Sequence, residues 1–152
     1  METSTFAIVA SIGSIILSGM TVYLTKKNMQ LTNALTLELQ LMEAKKDWDN
    51  AIKDSEIALA NSEQIDGEHL KKIATAIKAY NDSSVENYLN LFERLCFFIL
   101  NKTFDEQQYK TQYRNMLNNT ITSLSSLGKP FNNAANPTYK KMIELNNRWQ
   151  NS

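Results

Sequence analysis

The stretch Val85-Glu86-Asn87-Tyr88-Leu89-Asn90-Leu91-Phe92-Glu93-Arg94-Leu95-Cys96-Phe97-Phe98-Ile99-Leu100, residues 85–100, decides the fold class. Val85, Leu89, Phe92, Leu95, Cys96 and Ile99 recur at three- and four-residue intervals, which places them on one face of a helix. Leu91, Phe97, Phe98 and Leu100 widen that face nearly all round, so this helix is predicted to be the central and most buried one. No convincing strand alternation occurs anywhere in the chain, and the expectation is an all-α protein.

Working outward, Ser83 to Glu86 has capping-box spacing and is predicted to start that central helix, each side chain satisfying a backbone N–H of the first turn. Before it, Leu70, Ile73, Ala74, Ile77 and Tyr80 share one face of a preceding helix, itself following a turn at residues 61–67 with Asp66 as its N-cap. After it, Thr103-Phe104-Asp105-Glu106 repeats the capping pattern, and Tyr109, Tyr113, Met116, Leu117, Ile121, Leu124 and Leu127 supply the buried side of the next helix. Gly128 and Pro130 end it. A polar loop follows, then Asn136-Pro137 in the cap-then-first-residue order that starts helices, with Tyr139, Met142, Ile143, Leu145 and Trp149 as the last apolar side.

Toward the N-terminus, neither Gly nor Pro occurs between Met20 and Asp66, so one helix can run as far as about residue 60. Ala34, Leu37, Leu41, Ala44, Trp48, Ala51, Ser55 and Ala58 alternate by three and four, and Leu31, Leu35, Leu39 and Met42 form an adjacent strip. Together they predict a broad face packed in a bundle, in preference to a two-stranded coiled coil. Residues 3–25 contain no charged side chain, and residues 6–24 are predominantly apolar, interrupted only by Gly, Ser and Thr. About 20 such residues cross a hydrocarbon core of roughly 30 Å, so a single transmembrane helix is expected. A cleaved signal peptide fits less well, because only the acidic Glu2 precedes the run and no small-residue cleavage site precedes Lys26-Lys27. Those lysines predict an N-terminus outside and a C-terminal domain in the cytoplasm. The organisation expected is an anchor at 1–25, possibly continuous with a stalk or first bundle helix at 26–60, and the remainder of a helical bundle at 61–152. Ala7, Ser11, Ser14, Ser18 and Thr21, with Thr25, fall on one stripe of the anchor and are candidate helix–helix contacts with lipid-embedded partners.

Charge and composition exclude several activities. Sixteen basic residues against 16 acidic ones give no basic face for nucleic acid. One Cys and one His, Cys96 and His69, provide no zinc set, and His69 beside Glu68 reads as an exposed helix-start residue. Gly67 and Gly128 are the only glycines beyond the anchor, so no phosphate-cradling loop exists, and the carboxylates lack the spacing of a hydrolytic pair. No enzyme activity and no cofactor are expected. One polar set stands out: Asn90 and Glu93 are helix neighbours, and Glu93 is predicted to meet Arg114 or Arg148 from a packed helix. That set reads as an interhelical clamp, with a recognition site as the other reading. The Asn-x-Ser/Thr sequences at Asn81, Asn101 and Asn118 carry no meaning in a cytoplasmic domain.

The segment Tyr88 to Leu95, Phe104-Asp105-Glu106, Tyr113-Arg114 and Arg148-Trp149 resemble an uncharacterised bacterial family classed as a domain of unknown function, over residues 36–150. The most specific part is the Leu-Asn-x-Phe-Glu core at residues 89–93. The resemblance implies a small helical module, often led by one membrane span, in prokaryotic genome-defence or mobile-element settings. The function expected is a membrane-anchored interaction module that tethers a protein partner or its own copies. A membrane-perturbing oligomeric effector is the alternative, although the anchor carries no ionisable residue to line an aqueous path.

Overall fold

A computed structural model describes residues 2–60, 67–126 and 138–151 of the chain, with the side chains of 15–60, 67–125 and 138–151. Four helices follow in order: α1 at Glu2–Ala60, α2 at Gly67–Leu100, α3 at Glu106–Ser126 and α4 at Lys140–Gln150. Among the described residues there is no strand. The chain divides into two units, residues 1–36 and residues 37–152.

The first unit is helix alone. Each described side chain from Ile15 to Met29 is exposed. Among the described residues no helix is long and apolar enough to cross a membrane. Of the anchor contacts read from the sequence, the side chains of Ala7, Ser11 and Ser14 lie outside the described residues. Ser18 and Thr21 are exposed, and the Thr21 hydroxyl donates to the Leu17 carbonyl at 2.9 Å.

The second unit is the bundle. Along its part of α1 the predicted three-four stripe is the one that packs: Leu37, Leu41, Ala44 and Ala51 are buried, and Trp48, Ser55 and Ala58 half-buried, while Ala34, also buried, falls in the first unit. The adjacent strip does not join them. Leu31, Leu35, Leu39 and Met42 are all more than half exposed, a correction to the single broad face expected. At 100° per residue the strip lies well past a right angle from the centre of the buried stripe, so one packing surface cannot cover both.

Helix α2 runs unbroken through Ser83 and Ser84, so the capping-box spacing there starts no helix. Ser and Asp disfavour a helix interior by only a few tenths of a kcal/mol, which burial of Val85, Tyr88 and Leu89 outweighs. Just upstream, Asn81 donates to the Ser55 hydroxyl at 2.7 Å, tying α2 to α1. In the N-terminal half of α2, Leu70, Ile73 and Ile77 are half-buried, whereas Ala74 and Tyr80 face outward.

The α2–α3 turn is built by backbone hydrogen bonds. Thr103 N–H donates to the Phe98 carbonyl at 2.9 Å and Lys102 N–H to that of Ile99 at 3.0 Å, the paired pattern of a Schellman C-cap. Lys102 occupies its left-handed position at φ 57°, a place more often filled by glycine. Because Thr103 is committed to closing α2, the cap of α3 falls to Asp105, whose Oδ1 accepts from Gln108 N–H at 3.0 Å. The predicted start at Thr103 thus moves two residues on.

The core follows the central helix. Val85, Leu89, Phe92, Leu95, Cys96 and Ile99 are buried as predicted, with Tyr88 added. Phe97 is the exception to the all-round face, being exposed. A continuous run of ring contacts passes from Trp48 through Tyr88, Phe92, Tyr113, Tyr109 and Phe104 to Phe98, with centroids 5.2–6.3 Å apart.

Candidate functional site

Three of the four polar residues singled out in the sequence, Glu93, Arg114 and Arg148, meet at α4, with partners different from those expected. Tyr139 stands at the N-cap position and its side chain does not cap the helix. The carboxylate of Glu93 on α2 does that work instead: Oε1 accepts from Lys141 N–H and Oε2 from Met142 N–H, both at 2.8 Å. These are two of the N–H groups that a helix start leaves without an internal acceptor, and the negative charge also complements the positive end of the helix dipole. Glu93 therefore meets neither Arg114 nor Arg148, which corrects the predicted ion pair.

At the other end of α4 a second carboxylate acts. Glu106, on the first turn of α3, accepts from the indole N–H of Trp149 at 3.0 Å and from Arg148 Nη1 at 3.2 Å. Arg148 also lies 4.0 Å from Glu144. Arg114 reaches Gln150 Oε1 at 3.5 Å, and Asn146, buried on α4, lies the same distance from Asn118. Asn90 is exposed and takes no part in this set. An 11-residue helix too short to persist alone is thus held at its start by Glu93, at its end by Glu106, and along its length by Met142, Leu145 and Trp149 packing on α2 and α3. The sequence offered two signals for these partners: the lack of a capping side chain at Tyr139, and a buried indole N–H that needs an acceptor.

Titratable groups in the core are held in their neutral forms. Burial pushes the Tyr88 phenol up to about 12, opposed by its hydrogen bond with Thr120 at 3.1 Å. Burial with the nearby Glu38 charge likewise raises Tyr113 to about 12. Tyr109 rises further, through burial and then a hydrogen bond to the Glu38 carboxylate, and Tyr139 rises through burial and the charges of Glu86 and Glu93. An unfolded tyrosine ionises near pH 10, below these values, so the unfolded chain releases the protons first and stability falls as pH rises past that point. Unfolding monitored across pH should show a tyrosine contribution fully present below about pH 10 and lost progressively toward pH 12. Invariant stability over that interval would contradict the burial of these rings.

Burial also sets the chemistry of Cys96. It is wholly buried, with its thiol pushed well above the usual range by desolvation and then by Glu93, which suppresses the nucleophilic thiolate. Among the described residues no group of three or more His, Cys, Asp or Glu side chains is placed to hold a metal ion. Among the described residues, two surface depressions bear on function. A mostly apolar groove of about 340 Å³ is lined by Leu41, Met42, Lys45, Gln112, Tyr113 and Met116. One of about 270 Å³ lies beside the start of α4, bordered by Asp82, Val85, Glu86, Leu89, Leu124 and Tyr139. Lys45 is committed to Asp49 and to the face of Trp48, so the first groove carries no available cation. Neither holds a nucleophile with a base beside it.

No curated protein and no solved structure matches the chain. Over residues 8–149, all but the two ends of its length, the sequence fits a family model, and the chain belongs to the family described as Domain of unknown function (DUF4760).

Proposed function

We propose that this protein is a membrane-tethered interaction module: its uncharged N-terminal run lies across a bilayer, and its helical bundle docks a protein partner or further copies of itself on the cytoplasmic side. The observation that carries this is the character of α1 before Lys26. Ile15, Ile16, Leu17, Met20, Val22, Tyr23 and Leu24 are exposed around more than half of the helix circumference, the rest being the Ser18, Thr21 and Thr25 stripe. A helix that is apolar over most of its circumference and interrupted only by small hydroxyl residues is stable where its surroundings are apolar, and residues 3–25 add no charge that would oppose lipid. Lys26 and Lys27 favour the cytoplasmic orientation. Anchoring then works by concentration, since a module held at the membrane meets membrane-held partners far more often than a free one.

A reporter fused after Ser152 tests orientation. Activity of a cytoplasm-dependent reporter and silence of an exported one are expected; the reverse would overturn the topology. Following membrane potential on induction separates tethering from the effector alternative. Unchanged potential, together with partner capture from detergent-solubilised membranes, supports tethering, and depolarisation that depends on residues 6–24 would replace it.

A further inference from the structure

The proposed bilayer segment ends at Lys26-Lys27, yet α1 stays apolar on one side beyond that point. Leu31 is 60% and Leu35 52% exposed, in a stretch that lipid would no longer cover. These two are not scattered. Leu17, Thr21, Leu24, Asn28, Leu31 and Leu35 follow each other at intervals of four, three, four, three and four, the seam of a heptad repeat. All six lie within the first unit, are exposed, and belong to one uninterrupted helix.

We propose that α1 pairs in parallel and in register with α1 of a second copy of this chain, through Leu24, Asn28, Leu31 and Leu35. The pairing rests on the membrane-tether function, because insertion through a common topology presents both copies with the same polarity. Self-complementarity selects a second copy as the occupant. In a parallel in-register pair every seam residue faces its own counterpart, so leucine meets leucine, and the Asn28 amide both donates to and accepts from the other Asn28. A lone Asn at such a position fixes register and favours two strands over three or four. The flanks agree. Lys27 faces Thr32 of the other copy, five residues on, so no like charges are forced together. Thr21 brings no unmet hydroxyl to the seam, being bonded to its own helix at the Leu17 carbonyl. The seam from Leu17 to Leu35 is only about 27 Å long at the helical rise. Such a contact is small for a freely diffusing pair, and confinement to a membrane supplies the missing effective concentration.

Single cysteines placed at residues 24 to 35 of the full-length protein, followed by oxidative crosslinking in native membranes, test this directly. Wild-type protein is the control, since Cys96 is wholly buried. Dimer should peak at positions 24, 28, 31 and 35, at least about threefold above positions 26, 29, 30 and 33, following the heptad period. Leu31→Lys with Leu35→Lys should abolish the Asn28→Cys crosslink without releasing protein from the membrane. A flat profile in membrane-integrated protein, or adducts only to a polypeptide of different mass, would overturn the pairing and leave the tether function standing. Protein that washes off membranes at alkaline pH would overturn both.

Discussion

Trp149→Ala is expected to destabilise the bundle by about 3–5 kcal/mol, the range for removing a large buried aromatic. Trp149 is almost fully buried, near the end of the shortest helix, and supplies the indole N–H that Glu106 accepts. Truncation opens a cavity between α4 and the helices it packs on, and leaves Glu106 with Arg148 alone. The loss should be local before it is global: hydrogen exchange across α4 should rise more than in the buried half of α2. Trp149→Phe keeps most of the volume but not the donor, so it should retain most of the stability. If alanine costs less than about 1 kcal/mol, α4 is not an integral part of the core.

Glu93→Ala is the second large effect, expected at about 1–3 kcal/mol, because it leaves two N–H groups at the start of α4 without an acceptor. Glu93→Gln should fall between wild type and alanine, keeping one acceptor oxygen while losing the charge that the helix start favours. Glu93→Asp should be nearly as harmful as alanine, since a shorter side chain cannot reach both groups. Thermal unfolding of the detergent-solubilised full chain, paired with exchange rates at Lys141 and Met142, distinguishes this cap from an ion pair. An ion pair with an arginine would be weakened by adding an Arg148→Ala change, whereas the capping interaction should be indifferent to it. Non-additivity between Glu93→Ala and Arg148→Ala would contradict the geometry described here.

The difference between what could and could not be read from the chain follows from the range over which each feature acts. The buried stripe on α1 and the apolar face at residues 85–99 are periodic, and periodicity within one helix is fully present in the sequence. The family resemblance, read from residues 36–150, rested on the same helices and agrees with the match over residues 8–149. Two apolar strips on one helix are a different matter. Leu39 and Met42 look as fit for burial as Leu37 and Leu41, and only the placement of α2, α3 and α4 decides which of them is covered. Ser83 to Glu86 illustrates the converse, a local motif overridden by tertiary packing, while Thr103 lost the cap to Asp105 because it closes the preceding helix.

The candidate polar set was half legible for the same reason. That Glu93 needs a partner follows from its place on a largely apolar helix, but which partner depends on a contact 48 residues away in sequence. Among side chains, arginine is the natural guess for a carboxylate. The actual partner is backbone, and backbone donors have no letter in the sequence. Glu106 contributes in the same way, its place in an apparent capping pattern concealing its role as acceptor for Trp149.

The central claim is that the apolar N-terminal run is embedded in lipid, and flotation of the full-length protein on a density gradient after alkaline extraction tests it most directly. The protein should float with the vesicles, while a chain lacking residues 6–24 should remain in the dense soluble fractions with its bundle folded. Full-length protein recovered in the soluble fractions without detergent, with Ile15 to Leu24 shielded inside its own fold, would contradict the account.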